Sequence, residues 1–398
     1  TATDAAGNAS SAGTISFSLD TGAPGAPLLT LGSGVSGGAT AAEATATGGV
    51  VTLTAEAGSS VAVTFTGASG TVTKTVTGTG TTAVPVVLTS TELSSLGDGT
   101  IEVSATATDA AGNASSASTT SFSLDTAAPT LAITSSASAL KIGETASMTF
   151  TFSEVPTGFV ATDITTSGGD LTGLAVSSTD PKVYTATFTP PTNTNNGSAS
   201  ITVASGAYTD AAGNNGGAGT TPSLSFDTAA PSAPVLTLGT GVSNGATSAE
   251  AIAAGGVVTL TAEAGSSVAV TFTGASGTVT KTVTGTGTTA VPVLLTSEEL
   301  SSLGDGTISV SATATDAAGN ASSAAAISFS LDTGAPGAPV LTLGSGVANG
   351  ATAAEATATG GVVTLTAEAG SSVAVTFTGA SGTVTKTVTG TGTTAVPV

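Results

Sequence analysis

Apolar and polar residues alternate with a period of two along most of this chain. Val51, Leu53 and Ala55 are interleaved with threonines, Val61, Val63 and Phe65 follow at the same spacing, and further on Ile101, Val103, Ala105 and Ala107 repeat the pattern. That period marks half-buried β-strands. It predicts strands at 27–31, 50–56, 61–66, 71–77, 82–88, 100–108 and 119–124, separated by glycine-rich turns. Seven short strands of this kind make a β-sandwich. Between the fifth and sixth, Thr89 and Glu92 have capping-box spacing, as do Thr296 and Glu299, which predicts a short helical turn whose role is to cross from one sheet to the other. Lys74 shares the parity of Val72 and Val76, and Pro85 is opposite in parity to Val84, Val86 and Leu88. The lysine predicts an edge strand, and the proline an edge or a bulge.

The pattern is itself repeated. The hexapeptide Thr108-Asp109-Ala110-Ala111-Gly112-Asn113 recurs at 3–8, 209–214 and 315–320, and the stretch 48–86 recurs unchanged at 255–293 and 360–398. Each hexapeptide is followed by an Asp-Thr step and then a proline: Asp20 with Pro24, Asp125 with Pro129, Asp227 with Pro231, and Asp332 with Pro336. The 398 residues therefore read as modules of roughly one hundred residues, a normal size for a small domain. The expected divisions are 1–21 as the end of one module, 22–126 as a complete one, 127–228 as a divergent type, 229–333 as a return to the first type, and 334–398 as the beginning of another copy. The expected fold class is all-β, a tandem of immunoglobulin-like β-sandwiches of about seven strands each in an extended rod. Both ends fall inside repeats, so an internal piece of a longer polypeptide is expected.

Composition narrows the chemistry. A net charge of −20, with lysine the only basic residue type, argues against nucleic acid or an anionic membrane as partner, since both need basic patches. A divalent cation suits the chain better. There is no cysteine, hence no disulfide and no thiolate chemistry; there is also no histidine, hence no histidine-based triad and no imidazole metal site. No apolar run is long enough to span a bilayer and no signal peptide is visible. With no tryptophan and few aromatics the cores are light, and each module should be only modestly stable alone.

In an immunoglobulin-like sandwich the entering chain and the loops after the second and sixth strands lie at one pole. Asp20 from the linker, Glu56 from the loop Ala55-Glu56-Ala57-Gly58, and Asp109 with Asn113 from the hexapeptide are thus expected to meet at the junction with the preceding module. The set repeats as Asp125, Glu154, Asp210 and Asn214, and as Asp227, Glu263, Asp316 and Asn320. The last fragment keeps Asp332 and Glu368, and the first keeps Asp4 and Asn8. Oxygen ligands of this kind suit calcium (Ca2+), which takes six to eight of them, more than magnesium, which keeps its waters. Gly112 would permit the turn that aims carbonyls inward. The alternative is that Asp109 merely makes an Asx turn and Glu56 is a solvated charge. Asn8, Asn113, Asn196 and Asn320 also match the glycosylation sequon formally.

The hexapeptide loop, the linker Leu124-Asp125-Thr126 with Pro129, and the segment 149–163 containing Phe152-Ser153-Glu154 resemble tandem bacterial immunoglobulin-like (BIg) domains. Such repeats form the extender region of very large type I-secreted (RTX-type) surface adhesins and biofilm-associated proteins. The resemblance covers the whole chain. It implies calcium at the module junctions, carried over onto Asp20, Asp109, Asp125, Asp210, Asp227, Asp316 and Asp332, with the glutamates added by the geometric reading alone. It also implies an extracellular location on a bacterial cell surface and a non-enzymatic, calcium-stiffened rod that projects an adhesive tip for attachment and biofilm formation. The partners expected are calcium ions and neighbouring modules of the same chain, with no nucleic acid, no membrane insertion and possible homotypic association. Two other readings stay open, a glycan- or protein-binding module and a self-associating extracellular matrix or surface filament.

Overall fold

A computed structural model describes residues 1–219 and 222–398. These divide into two compact units, Thr1–Ala229 and Ala230–Val398. In the first unit, the strands β1 (Leu28–Leu31), β2 (Val51–Thr54) and β5 (Val84–Val86) form one sheet in the order β1-β2-β5. The strands β3 (Ser60–Thr66), β4 (Thr71–Thr77), β6 (Gly99–Thr108) and β7 (Ser118–Leu124) form the other, in the order β4-β3-β6-β7. Alternation decides what is buried: Val61, Val63 and Phe65 of β3 are fully enclosed, whereas Ser60, Ala62 and Thr66 face out. With Leu53, Ile101, Val103 and Leu124 they make one apolar core.

The second core of this unit, from Leu131 to Phe226, is wired differently. It has eight strands: β8 (Leu131–Ser135), β9 (Ala139–Leu140), β10 (Ala146–Phe152), β11 (Ile164–Ser167), β12 (Asp170–Val176), β13 (Val183–Thr189), β14 (Gly197–Val203) and β15 (Leu224–Phe226). Its sheets run β12-β13-β10-β8 and β11-β14-β15-β9. The long strand β4 pairs with β3, while its longer-looped counterpart β12 pairs with β13 in the opposite sheet. Divergence in sequence thus goes with a different strand order.

The second unit repeats the first wiring, in sheets built on Val258–Thr261 and Ser267–Thr273, with a core from Val242 to Leu331. The stretch after it forms a smaller cluster around Leu365, Val373, Val375 and Val398.

The predicted helical turn is present as α2 (Ser90–Leu96), after a short α1 (Ala41–Ala44), and its capping box is reciprocal: Thr89 Oγ1 accepts from Glu92 N, and Glu92 Oε2 accepts from Thr89 N. Its role is wider than a crossing, because Leu93 and Leu96 plug the core and Glu92 holds Lys74 in an ion pair. The equal signal at Thr40 and Glu43, which caps α1, was missed by the sequence reading.

Both edge expectations are met, with β4 and β5 each at a sheet margin. The β4 sequence Thr-Val-Thr-Lys-Thr-Val-Thr reads the same in both directions. Two such edges meeting antiparallel in full register would set Lys74 against Lys74, and like charges directly opposite destabilise a strand pair. Replacing Lys74, Lys281 and Lys386 together by Val is expected to yield concentration-dependent oligomers in sedimentation velocity; a variant that stays monomeric would remove this role from the lysines. The Lys74 ammonium also holds the Glu92 carboxyl below its ordinary value. A depressed carboxyl stabilises the fold above its unfolded value and loses that contribution as pH falls through the folded one. The melting temperature of the Lys74→Met chain should therefore converge on that of the parent under acid.

Candidate metal centre

At each occurrence of the hexapeptide the aspartate carboxylate accepts from the backbone and side-chain N–H groups of the asparagine four residues on. Asp109 Oδ1 accepts from Ala111 N (2.9 Å) and Asn113 N (2.8 Å), while Oδ2 accepts from Asn113 Nδ2 (2.8 Å). Gly112 turns the chain at φ 94°. Asp4 with Asn8 and Asp316 with Asn320 repeat the side-chain bond, at 3.0 and 2.9 Å. The Asx turn is therefore real, and the bonds from Asn8 hold Asp4, as those from Asn113 hold Asp109, below the ordinary carboxylate range. Their amide nitrogens orient the aspartate, and the amide oxygen that was expected to face a cation takes no part in these bonds.

The divergent module adds what that loop lacks. Asp210 is 2% exposed, with Oδ1 accepting from Gly213 N (2.7 Å) and Asn214 N (2.9 Å) and Oδ2 from Asn214 Nδ2 (2.8 Å). Asp125 enters from the linker, and Glu154 from the connection between β10 and β11. Carboxylate oxygens of these three residues lie within 4.8 Å of one another, and among the described residues they form the one such group of three. This is no more than twice a calcium–oxygen bond of roughly 2.3–2.6 Å. The set could hold a metal ion.

Its electrostatics fit a cation. Partial burial first, then the charges of Asp125 and Asp210, push the Glu154 carboxyl above its ordinary value. No hydrogen bond or ion pair to Glu154 offsets this among the described residues. Asp210 has already accepted three hydrogen bonds, leaving room for about one more ligand interaction on a carboxylate with roughly four acceptor sites. Glu154 keeps all of its capacity.

The reason the group closes here is backbone pairing. Thr157 and Thr209 form an antiparallel bridge, with Thr157 N donating to Thr209 O (2.6 Å) and Thr209 N to Thr157 O (3.1 Å). The bridge ties the β10–β11 connection to the hexapeptide loop and so sets Glu154 beside Asp210. In the other module type the matching connection is a tight turn. The Glu56 carbonyl there accepts from Ser59 N (3.1 Å) and Ser59 Oγ (2.7 Å), and its side chain points to solvent. Glu263 and Glu368 sit in the same turn. Asp20 and Asp332 are exposed, and Asp227 is half-buried at the end of the first unit.

Two residues at the linker went unnoticed in sequence. Asp98 Oδ1 accepts from Thr126 N (3.0 Å) and Thr126 Oγ1 (2.9 Å), and Asp305 does the same for Thr333 (2.9 and 2.8 Å). Their signal was the repeated Leu-Gly-Asp-Gly after each helix, paired with the threonine of the Asp-Thr step. Of the sequon asparagines, Asn8, Asn113 and Asn320 spend their amide nitrogens on the hexapeptide aspartate, while Asn196 stands exposed at a turn with φ 50°.

These sandwiches make the chain a tandem of immunoglobulin-like folds. Residues 125–228, the second sandwich, match the family model described as a bacterial Ig-like domain. Among solved structures, the chain is similar to a tetra-tandem repeat from the extending region of a large adhesion protein (23% identity, 92% of this chain and 88% of that one, TM-score 0.33). It is also similar to part of a 1.5-MDa bacterial ice-binding adhesin (23% identity, 78% and 99%, TM-score 0.34) and to domains from titin (14% identity, 71% and 92%, TM-score 0.30). Superpositions at that level carry no function across. No curated protein matches the sequence. Among the described residues, no helix is long and apolar enough to cross a membrane.

Proposed function

We propose that the chain is a spacer, a rod of modules at 22–126, 127–228 and 229–333 that holds an adhesive tip away from a bacterial surface, with calcium bound by Asp125, Glu154 and Asp210. The observation that carries this reading is the half-buried Glu154 carboxylate, set within 4.8 Å of two others whose charges raise it. Such a grouping is costly unless an ion joins it. When bound, calcium supplies charge neutralisation; the protein's part is to present one carboxylate from the linker and two from loops of the following sandwich. The Asp125 backbone N–H donates to the Ala39 carbonyl (3.0 Å), so the linker carboxylate is an extension of the sandwich before it. An ion shared across that seam limits bending.

Extracellular calcium at millimolar levels fills sites whose dissociation constants reach about 10⁻⁴–10⁻³ M, and cytosolic levels leave them empty. The chain would thus leave the cell soft and stiffen outside, in the setting of surface attachment and biofilm formation. A spacer rather than an enzyme also suits acids that recur once per module in a chain without histidine or cysteine.

Calorimetric titration of the whole chain with calcium, beside small-angle scattering with and without chelator, tests the proposal. Binding that disappears in Asp125→Asn, with a maximum dimension that shrinks in chelator, is the expected result. No heat and an unchanged scattering curve would end it. A stoichiometry above one ion per chain would extend the proposal to the corresponding acids Asp20 and Asp109.

A further inference from the structure

The side-chain amide of Asn214 has two donor hydrogens, and both are used. One goes to Asp210 Oδ2 (2.8 Å) within its own loop, the other to the backbone carbonyl of Asp125 (2.9 Å) in the linker. Asn113 makes the same pair of bonds, to Asp109 Oδ2 (2.8 Å) and to the Asp20 carbonyl (3.2 Å). These two loops belong to sandwiches of different strand order, so the bond belongs to the hexapeptide and its linker rather than to the packing of either module.

The carbonyl that Asn214 grips is not free to follow it. Asp125 N is bonded to Ala39 O, and the next residue, Thr126, is tied through N and Oγ1 to Asp98. Each of those partners belongs to the stretch before the linker, whose core ends at Leu124; Asn214 belongs to the core that begins at Leu131. Beyond the linker's alanines, Pro129 O accepts from Gly217 N (2.9 Å) on the far side. The few linker residues are held from both ends.

We propose that the hexapeptide asparagine is a latch that closes the joint between successive sandwiches without any cation. The aspartate fixes the asparagine, the asparagine fixes the linker carbonyl, and Asp98 anchors the same linker to the preceding sandwich. Asn214 is thus a positioning residue: it holds Asp125 in place beside Glu154 and Asp210, so that a cation arriving later finds a joint already assembled. Removing the cation would soften this joint without releasing it. The latch stands on its own geometry and does not require that the ion be calcium, or that an ion bind at all.

The chain has no cysteine, so introduced pairs are unique labelling sites. Spin labels at Thr75→Cys and Ser178→Cys, both exposed and one on each sandwich, report the joint by pulsed dipolar spectroscopy on the whole chain in excess chelator. The parent is expected to give one main distance peak, broader than in calcium. Asn214→Ala and Asn214→Asp, which both lose the donor, should raise the population outside that peak about fivefold, the factor a typical net hydrogen bond corresponds to. Asn113→Ala, acting at the other linker, should leave it unchanged. A second pair at Ser178 and Thr192 monitors the interior of the divergent module. Should Asn214→Ala disturb that interior, Asp98→Ala, which frees the linker from the other side, is read instead and should broaden the peak likewise. A parent already as broad as the variants, or variants as narrow as the parent, would overturn the latch.

Discussion

Glu154→Gln is expected to act in opposite directions with and without calcium. In chelator the variant should melt slightly higher than the parent, because the substitution removes a carboxylate that is driven up by its burial and by Asp125 and Asp210. In millimolar calcium it should melt much lower, because only the parent gains from the ion. An ion bound to the folded state alone at a hundredfold excess over its dissociation constant adds about 2.7 kcal/mol. For a module of about a hundred residues this is a rise on the order of 10 °C in the transition that contains residues 127–228. The pH dependence has a definite sign. A carboxyl raised on folding lets the cation-free protein gain stability as pH falls through its folded value, since the native state takes up the proton first. The same proton competes with the ion, so calcium affinity should begin to fall above the ordinary glutamate range in the parent and lose that component in the variant. Differential scanning calorimetry over pH, with calcium and with chelator, measures all of this. A variant that keeps the full calcium shift would take Glu154 out of the site.

Strand positions were legible in sequence because alternation is a local property that survives into the fold. The predicted 71–77 strand is β4 unchanged, and the others differ by a residue or two at their ends. Which sheet a strand joins is not local. Nothing local to β12, whose half-buried Leu171 and Leu174 straddle a register shift, says that it pairs with β13 rather than taking the place β4 has beside β3. The candidate site divides in the same way. The acids of the hexapeptide and linker could be read from their repetition, and so could Asp210 and Asp125. That Glu154 would join them while Glu56 would not depends on the length of the connection that carries each, and on the Thr157–Thr209 bridge that the longer one permits. A short turn leaves its glutamate in solvent; a long one can be folded back against the hexapeptide. The asparagine's donor role at the linker was not legible because donor and acceptor ends of an amide are equal in sequence and differ only in what surrounds them.

The longer connection is itself held by the core, so packing and binding should be coupled through Phe159. That ring is 6% exposed and lies against Phe152 (4.9 Å between centroids), Tyr184 (5.2 Å), Phe150 (5.8 Å) and Tyr208 (6.1 Å), mostly edge to face. It stands five residues after Glu154, just beyond Thr157, and anchors the segment that brings the glutamate to Asp210. Phe159→Ala should cost about 3–5 kcal/mol, a large share of the roughly 5–15 kcal/mol that a small domain commands. Phe159→Leu, which leaves a smaller cavity, keeps enough of the fold to titrate and should bind calcium more weakly, because the connection samples positions away from the other two carboxylates. Phe65→Ala, at a ring fully enclosed in the sandwich before the linker, should cost a similar amount of stability and leave the affinity of the folded chain untouched. Denaturant unfolding and calorimetric titration on the same samples separate the two effects. If Phe159→Leu bound calcium as tightly as the parent, the two hydrogen bonds between Thr157 and Thr209 alone would suffice to hold Glu154, and the ring would be core and nothing more.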